Sequence, residues 1–237
     1  EATIHRAVQA MSGFAGPWVL LPGNHDAHLA ECVWTRLERL GRPTSLLVAK
    51  EPAPIVLADG RLAILPAPLT ARRTFDDLTA WMDGCETPAA MLRVGLAHGA
   101  VEGRLPEGID AGNPLAADRA ATAKLDYLAL GDWHGTLQTG SRCWYAGTPE
   151  PDRFPANDPG NVLRVELESG REPVVARLRT ATHHWLAVAP AVGEAAGIAA
   201  ALAALAEPAR AVVSLRLAGP VGLGQRAAID DACRRWT

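Results

Sequence analysis

Leu20-Leu21-Pro22-Gly23-Asn24-His25-Asp26 closes an apolar run that begins at Trp18. Trp18-Val19-Leu20-Leu21 has the length and composition of a buried strand. Gly23 is expected to let the chain leave that strand at dihedrals other residues resist. Asn24, His25 and Asp26 then stand at a strand end, where a rigid scaffold can hold reactive groups. An amide oxygen, an imidazole and a carboxylate together can bind a divalent cation and move a proton. Taken alone, the segment also reads as a strand followed by an Asn/Asp turn.

Two later stretches repeat the design. Val94-Gly95-Leu96-Ala97-His98-Gly99 is an apolar strand that delivers a histidine into a glycine turn. Tyr127-Leu128-Ala129-Leu130-Gly131 is another, running into Asp132-Trp133-His134-Gly135. Strand alternation is expected to put Asp132 and His134 on the same side of an extended segment. One histidine at a strand end is ordinarily structural. Three strands that all end in His, Asn or Asp are much harder to explain that way.

The flanking segments read as a mixture of helices and hairpins. Ala2 to Met11 is helix-like. His28 to Leu40 reads as an amphipathic helix with Leu29, Val33, Leu37 and Leu40 inward, stopped by Gly41 and Pro43. Ile55-Val56-Leu57 and Leu62 to Leu65 flank Asp59-Gly60, a hairpin signal. Thr74 to Met82 reads as helical with Phe75 and Leu78 inward, Glu102 to Asn113 as a Gly/Pro-rich loop, and Ala116 to Lys124 as a helix. Cys143-Trp144-Tyr145 is expected to return as a hairpin strand, and Val162 to Leu167 pairs with Val174 to Leu178 around Ser169-Gly170. The mixture predicts an α+β (mixed α/β) fold of two packed mixed sheets flanked by helices. After His183-His184 the composition changes: Ala191 to Leu205 reads as a helix, Ala211 to Leu217 as a strand and Leu223 to Trp236 as a helix. Domains are therefore expected at 1–182 and 183–237. His183 and His184 are neighbours on a strand, so they point to opposite faces and make a poor metal pair.

The 237 residues, 49% of them hydrophobic, are enough for a core, and no apolar run approaches a membrane span. The net charge of −3 excludes a generic polyanion binder, so positive charge must be local if the substrate is a nucleic acid. Lys50 and Lys124 are the only lysines. Arg72, Arg73, Arg104, Arg142 and Arg153 stand in loops near the proposed strand ends, and Arg is the better fork for phosphate. Cys32, Cys85, Cys143 and Cys233 form no CxxC pair, which fits reduced thiols in a cytoplasmic protein.

The order of GNHD at 23–26, a histidine closing the next strand, and Gly-x-x-His at 131–134 resembles the calcineurin-like metallophosphoesterases. Residues 125–154, LDYLALGDWHGTLQTGSRCWYAGTPEPDRF, are similar to the bacterial SbcD-type DNA repair exonucleases, in which YxALGHxH is followed by a hairpin and YxGSPEP. The likeness spans roughly residues 1–180, and the tail resembles the start of the small capping domain of those enzymes. It implies a four-layer metallophosphoesterase fold and phosphodiester hydrolysis with two Mn²⁺ or Mg²⁺ ions. By that likeness Asn24, His98 and Asp132 ligate the second ion and His134 the first. His25 faces the phosphate as an acid or charge stabiliser, and Asp26 orients His25 or nearby backbone. DNA is the implied substrate, and a coiled-coil ATPase subunit and a second copy of the chain are the implied partners.

The chain departs from the family at two points. Asp132 stands where the family usually has the first His of Gly-His-x-His; a carboxylate suits hard Mn²⁺ or Mg²⁺. The Asp-x-His and Gly-Asp-x-x-Asp motifs do not occur upstream of Gly23. The expectation is therefore a domain lacking its N-terminal part, which alone binds at most one ion, weakly, and does not cleave DNA. Another phosphoesterase, or a non-catalytic binding subunit, are the alternative readings.

Overall fold

The computed structural model of the chain describes residues 1–105, 112–154, 157–188, 208–216 and 222–234. Its centre is a six-stranded mixed sheet. The hairpin foreseen around Asp59-Gly60 forms as β3 (Ile55–Leu57) and β4 (Leu62–Ala67). Ala58 and Asp59 take φ of 53° and 54°, the left-handed pair that a tight hairpin turn needs. β4 then runs parallel to β5 (Leu92–His98), β5 to β8 (Tyr127–Gly131), and β8 to β10 (Cys143–Tyr145). β9 (Leu137–Gly140) closes the far edge, antiparallel to β10 as the predicted hairpin.

Alternation assigns the two faces of this sheet. Ala63, Leu65, Ala67, Ala97, Leu128, Leu130, Cys143 and Tyr145 look one way, into a core completed by Met82, Leu115, Ala123 and Leu125. Ile64, Val94, Tyr127, Ala129 and Trp144 look the other way. Across an apolar cavity of about 340 Å³ they meet Leu163, Val165 and Leu167, from β11 (Asn161–Glu166) and the residue following it. β11 pairs antiparallel with β12 (Val174–Arg179), the hairpin predicted around Ser169-Gly170. The fold is thus mixed α+β. The second sheet is represented by separate two-stranded pairs, not by one continuous layer.

The N-terminal quarter forms one of those pairs. β1 (Trp18–Leu20) lies parallel to β2 (Leu46–Val48). The helix α1 (Ala2–Met11) packs Ile4, Val8 and Met11 against Trp34, Leu37 and Leu46. The second helix, α2, is shorter than predicted, Val33–Leu40, and turns a different face inward: Trp34 and Leu37 are buried, while Leu29, Val33 and Leu40 are exposed. Tertiary hydrogen bonds claim the residues before it. His28 N–H donates to the Leu69 carbonyl, and Cys32 caps the helix with Thr35.

Thr74–Met82 is not an α-helix, and Phe75 is exposed; only a 3₁₀ turn forms, Ala80–Gly84. Side chains compete with the helix here. Thr74 Oγ1 accepts from Asp76 N–H, and Asp77 Oδ1 accepts from Thr79 N–H. Asp77 also pairs with the buried Arg119 at 2.9 Å, and Arg119 reaches Thr79 and Asp83 as well. The helix expected over Ala116–Lys124 shrinks to one turn, α3 (Arg119–Thr122), before Lys124 takes a φ of 51°.

Two further short pairs complete the described fold. β6 (Ala100–Val101) pairs with β7 (Pro114–Leu115), bracketing the predicted loop, whose residues 106–111 lie outside the described set. β13 (His184–Val188) runs parallel to β14 (Ala211–Leu215), followed by α4 (Leu223–Arg234). The helix expected at Ala191–Leu205 falls outside the described residues. Glu150 ties the 182–183 turn down: it accepts from Thr182 N–H at 2.6 Å and from the Thr182 hydroxyl. Those bonds hold its carboxyl down to about 2.

Candidate metal centre

The four parallel strands β4, β5, β8 and β10 end on one side, at Ala67, His98, Gly131 and Tyr145. Carboxyl ends of parallel strands are where such sheets gather ligand-binding groups. The loop after β1 is brought to the same place by backbone bonds. Leu69 N–H donates to the Pro22 carbonyl at 3.2 Å, and His28 N–H to the Leu69 carbonyl at 2.8 Å. Within that loop the Asp26 carboxylate accepts from Gly23 N–H at 2.7 Å. The Trp34 indole donates to the Asp26 carbonyl at 2.5 Å, tying α2 to the same turn. Asp26 therefore holds neighbouring backbone.

Asn24, His98 and Asp132 converge from these three segments. His98 Nε2 lies 3.0 Å from Asn24 Oδ1 and 3.4 Å from Asp132 Oδ1, and Asn24 Nδ2 donates to Asp132 Oδ1 at 3.2 Å. Two glycines make room for the ring. A Cβ on Gly23 would stand 2.7 Å from His98 Cε1, and one on Gly131 2.9 Å from His98 Nδ1. Gly23 is not among the positive-φ residues, so its smallness, and not a special dihedral, is what the site uses. The strained residue is Asp132, with φ of 102°. Such a conformation in a non-glycine residue costs about 1–3 kcal/mol and clusters at functional sites.

The positive φ also ends strand alternation at Gly131, so Asp132 and His134 go separate ways. His134 Nδ1 lies 2.8 Å from Asp152 Oδ2 and 2.9 Å from Arg153 Nη2. Burial would raise the Asp152 carboxyl, but hydrogen bonds from Arg153 and His134 outweigh it and the carboxyl lies below its usual range. A carboxylate on Nδ1 leaves Nε2 as the outward nitrogen, the arrangement found behind metal-binding histidines. The backbone of His134 docks on the GTPEP segment: its carbonyl accepts from Thr148 N–H at 2.9 Å. His25 is exposed, and no described residue hydrogen-bonds to it.

The sequence reading missed the roles of three supporting residues. Asn113 is buried with φ of 55°. It clamps the loop after β4: its N–H donates to the Thr74 carbonyl at 3.1 Å, its Oδ1 accepts from Thr74 N–H at 2.8 Å, and its Nδ2 donates to the Arg72 carbonyl at 3.4 Å. Its own carbonyl accepts from Ala100 N–H at 3.0 Å, two residues after His98. A Cβ on Gly99 would strike that carbonyl at 2.0 Å. Tyr145, fully buried, accepts from Val101 N–H at 2.9 Å and donates to the Gly99 carbonyl at 2.7 Å. Asp152 is the third. Asn113 sits in a stretch with no periodicity, and Tyr145 and Asp152 reveal their roles only across long sequence separations.

A cleft of about 270 Å³ opens beside the triad, lined by Asn24, Asp132, Arg72, Arg73, Gly112 and Asn113. Of the loop arginines, Arg142 stands before β10, at the opposite end of the sheet, and binds Glu172 and the Leu125 and Arg171 carbonyls. A larger cleft, about 430 Å³, lies at that opposite end between residues 117–125 and 140–143. Among the described residues no three His, Cys, Asp or Glu side chains are grouped as a metal site; the triad's third member is an amide. No helix among the described residues is long and apolar enough to cross a membrane. The chain matches no protein-family model and no curated relative.

Proposed function

We propose that Asn24, His98 and Asp132 hold a divalent cation, Mn²⁺ or Mg²⁺, in a metal-dependent phosphodiester hydrolase of the calcineurin-like metallophosphoesterase kind, with a four-layer fold and with DNA as substrate. The observation that carries the reading is the spacing of the donors. Two ligands bound at about 2.1 Å and at right angles stand about 3.0 Å apart. Asn24 Oδ1, His98 Nε2 and Asp132 Oδ1 are separated by 3.0 and 3.4 Å about the shared imidazole nitrogen. An amide oxygen, an imidazole and a carboxylate are a donor set suited to Mn²⁺. A cation there polarises a phosphate oxygen and lowers the pKa of water.

The chain's own residues supply the rest. Asp26 fixes the turn that presents Asn24, so the amide meets His98 and Asp132 without rearranging. His25, exposed and next to Asn24 in the chain, is the residue we assign to protonate a leaving oxygen. His134, oriented by Asp152, is the ligand we assign to the neighbouring ion of a two-metal centre. Its separate pairing also favours a second reading, a one-ion site on a non-catalytic binding subunit.

Calorimetric titration with Mn²⁺ tests the assignment first. These 237 residues should bind one ion, and His98→Ala should abolish it; absence of binding by the unaltered chain overturns the site. Joined to a segment that supplies the Asp-x-His and Gly-Asp-x-x-Asp motifs, the chain should then hydrolyse bis(p-nitrophenyl) phosphate and degrade DNA ends in Mn²⁺. A preference for phosphomonoesters moves the reading to a phosphatase, and binding without hydrolysis to the binding subunit.

A further inference from the structure

The cleft beside the triad has two chemically different walls. Asn24 and Asp132 belong to one, and Arg72 stands on the other. Arg72 is exposed, and no described residue pairs with its guanidinium. Its neighbour Arg73 is engaged elsewhere, with its guanidinium carbon 5.8 Å from the centre of the Phe75 ring.

The backbone that carries Arg72 is fixed. The buried Asn113 donates from Nδ2 to the Arg72 carbonyl at 3.4 Å, and it holds Thr74 by bonds of 3.1 and 2.8 Å. The carbonyl of Asn113 accepts from Ala100 N–H at 3.0 Å, two residues after His98. Arg72 is therefore rooted to the same strand end that delivers His98, and not to a loose tip.

Charge and size set what the cleft accepts. Without metal, the Arg72 guanidinium stands against the Asp132 carboxylate. A divalent cation on the triad adds two positive charges to the same space, so the cleft then draws an anion. A phosphodiester has two non-bridging oxygens, enough to meet a cation and a guanidinium at once. The volume of about 270 Å³ equals roughly nine waters at about 30 Å³ each. That holds a phosphate group with small ester substituents. It falls below the pockets of about 300–1,000 Å³ that enclose larger ligands.

We infer that Arg72 is the phosphate-gripping residue of this site: its guanidinium holds one non-bridging oxygen of a phosphodiester while the other meets the ion on Asn24, His98 and Asp132. The metal half of that arrangement rests on the phosphodiesterase reading; the guanidinium half is measurable without metal.

The test is an NMR titration of the ¹⁵N-labelled chain with dimethyl phosphate, first in EDTA and then in Mg²⁺, followed through the arginine Nε–H resonances. The Arg72 Nε–H signal should shift and saturate, and Arg72→Ala should weaken binding by about 10- to 100-fold. Arg72→Lys should fall between, since an ammonium keeps the charge and loses the fork. Asp132→Asn removes an opposing charge, so in EDTA it should tighten binding by about two- to five-fold. In Mg²⁺ the same change should loosen it, because the ion is lost. An arginine elsewhere on the surface would not give that reversal. Arg164→Ala, on the exposed outer side of β11, should change binding less than two-fold. Because Arg72 is exposed, its truncation should leave the melting midpoint unaltered. Equal affinity of the unaltered chain and Arg72→Ala in both buffers overturns the assignment. If Mg²⁺ strengthens binding equally in those two proteins, the metal reading stands and the Arg72 assignment falls. If calorimetry finds no bound ion while Arg72→Ala still loses affinity in EDTA, the anion grip stands and the metal reading falls.

Discussion

The tightest packing at the triad lies between Gly23 and the His98 ring, and it yields a number. Gly23→Ala would place a Cβ 2.7 Å from His98 Cε1 and 2.8 Å from Nδ1. Ordinary contact begins near 3.4 Å, so the ring must retreat by about 0.6 to 0.7 Å. A retreat of that size draws Nε2 out of line with Asn24 Oδ1, now 3.0 Å away. Overpacking of this kind costs about 1–3 kcal/mol. Against it stands the lower entropy of an unfolded chain with alanine, about 0.4–1 kcal/mol, available because Gly23 has no positive φ. The net expectation is destabilisation by about 0.5–2 kcal/mol. In a His98→Ala background the obstacle is gone, and the same Gly23→Ala change should stabilise by about 0.4–1 kcal/mol. Urea unfolding followed by tryptophan fluorescence on the four proteins measures the cycle. A change of sign between backgrounds, with a coupling of about 1–3 kcal/mol, is the prediction. Effects that agree within about 0.5 kcal/mol would refute the claim that Gly23 exists to seat His98. Mn²⁺ affinity of Gly23→Ala alone should fall about 10- to 100-fold, as it does when a ligand loses its orientation.

The remaining predictions concern single side chains. Asp132→Gly relieves a φ of 102° and should raise stability by about 1 kcal/mol while weakening Mn²⁺ binding; Asp132→His should keep a bound ion with altered preference, both read by melting and calorimetry. In a phosphodiesterase assay of the chain joined to the two missing motifs, His25→Ala should lower turnover by about two or more orders of magnitude with Mn²⁺ affinity unchanged, and a loss of ion binding would make His25 a ligand. At Asp77 burial works to raise the carboxyl, but hydrogen bonds from Thr79 and Arg119 and from the Ala116 and Thr79 N–H groups outweigh it, so the folded pKa is depressed. Its contribution is therefore complete above the ordinary carboxylate range and lost as pH falls below about 4. Asp77→Asn should cost about 3 kcal/mol at neutral pH and flatten the acid limb of a melting-temperature profile, whereas an unchanged limb would assign acid unfolding to other carboxylates.

What the residues foretold and what they hid divide along a physical line. Leu92–His98 and Tyr127–Gly131 were legible because strands inside a sheet impose apolar runs that no distant contact can disguise; Trp18–Leu20 also forms a strand, but not the buried one expected, since it pairs only with β2 and leaves Trp18 exposed. The hairpin at Asp59-Gly60 was legible because its turn needs left-handed residues. The helical spacing of Leu29, Val33, Leu37 and Leu40 misled, since the chain before Val33 is committed to Leu69 by a backbone bond that local periodicity cannot register. Thr74–Met82 misled likewise, because Thr74 and Asp77 satisfy backbone donors that a helix would have needed.

The site shows the same division one level up. Asn24, His98 and Asp132 were named as a set through the family resemblance, and the parallel pairing of β5 with β8 is what brings His98 and Asp132 together. His134 was expected on the same side as Asp132 by strand alternation; the strand ends at Gly131, Asp132 takes a positive φ, and His134 pairs with Asp152 and not with the triad. That dihedral is also what turns the Asp132 carboxylate back toward Asn24 and His98, leaving His134 to the Asp152 carboxylate. The two groups are therefore coupled through one strained residue. A substitution that relaxes Asp132 would move both the donor triad and the histidine that follows it, while one at Asp152 would release only the latter.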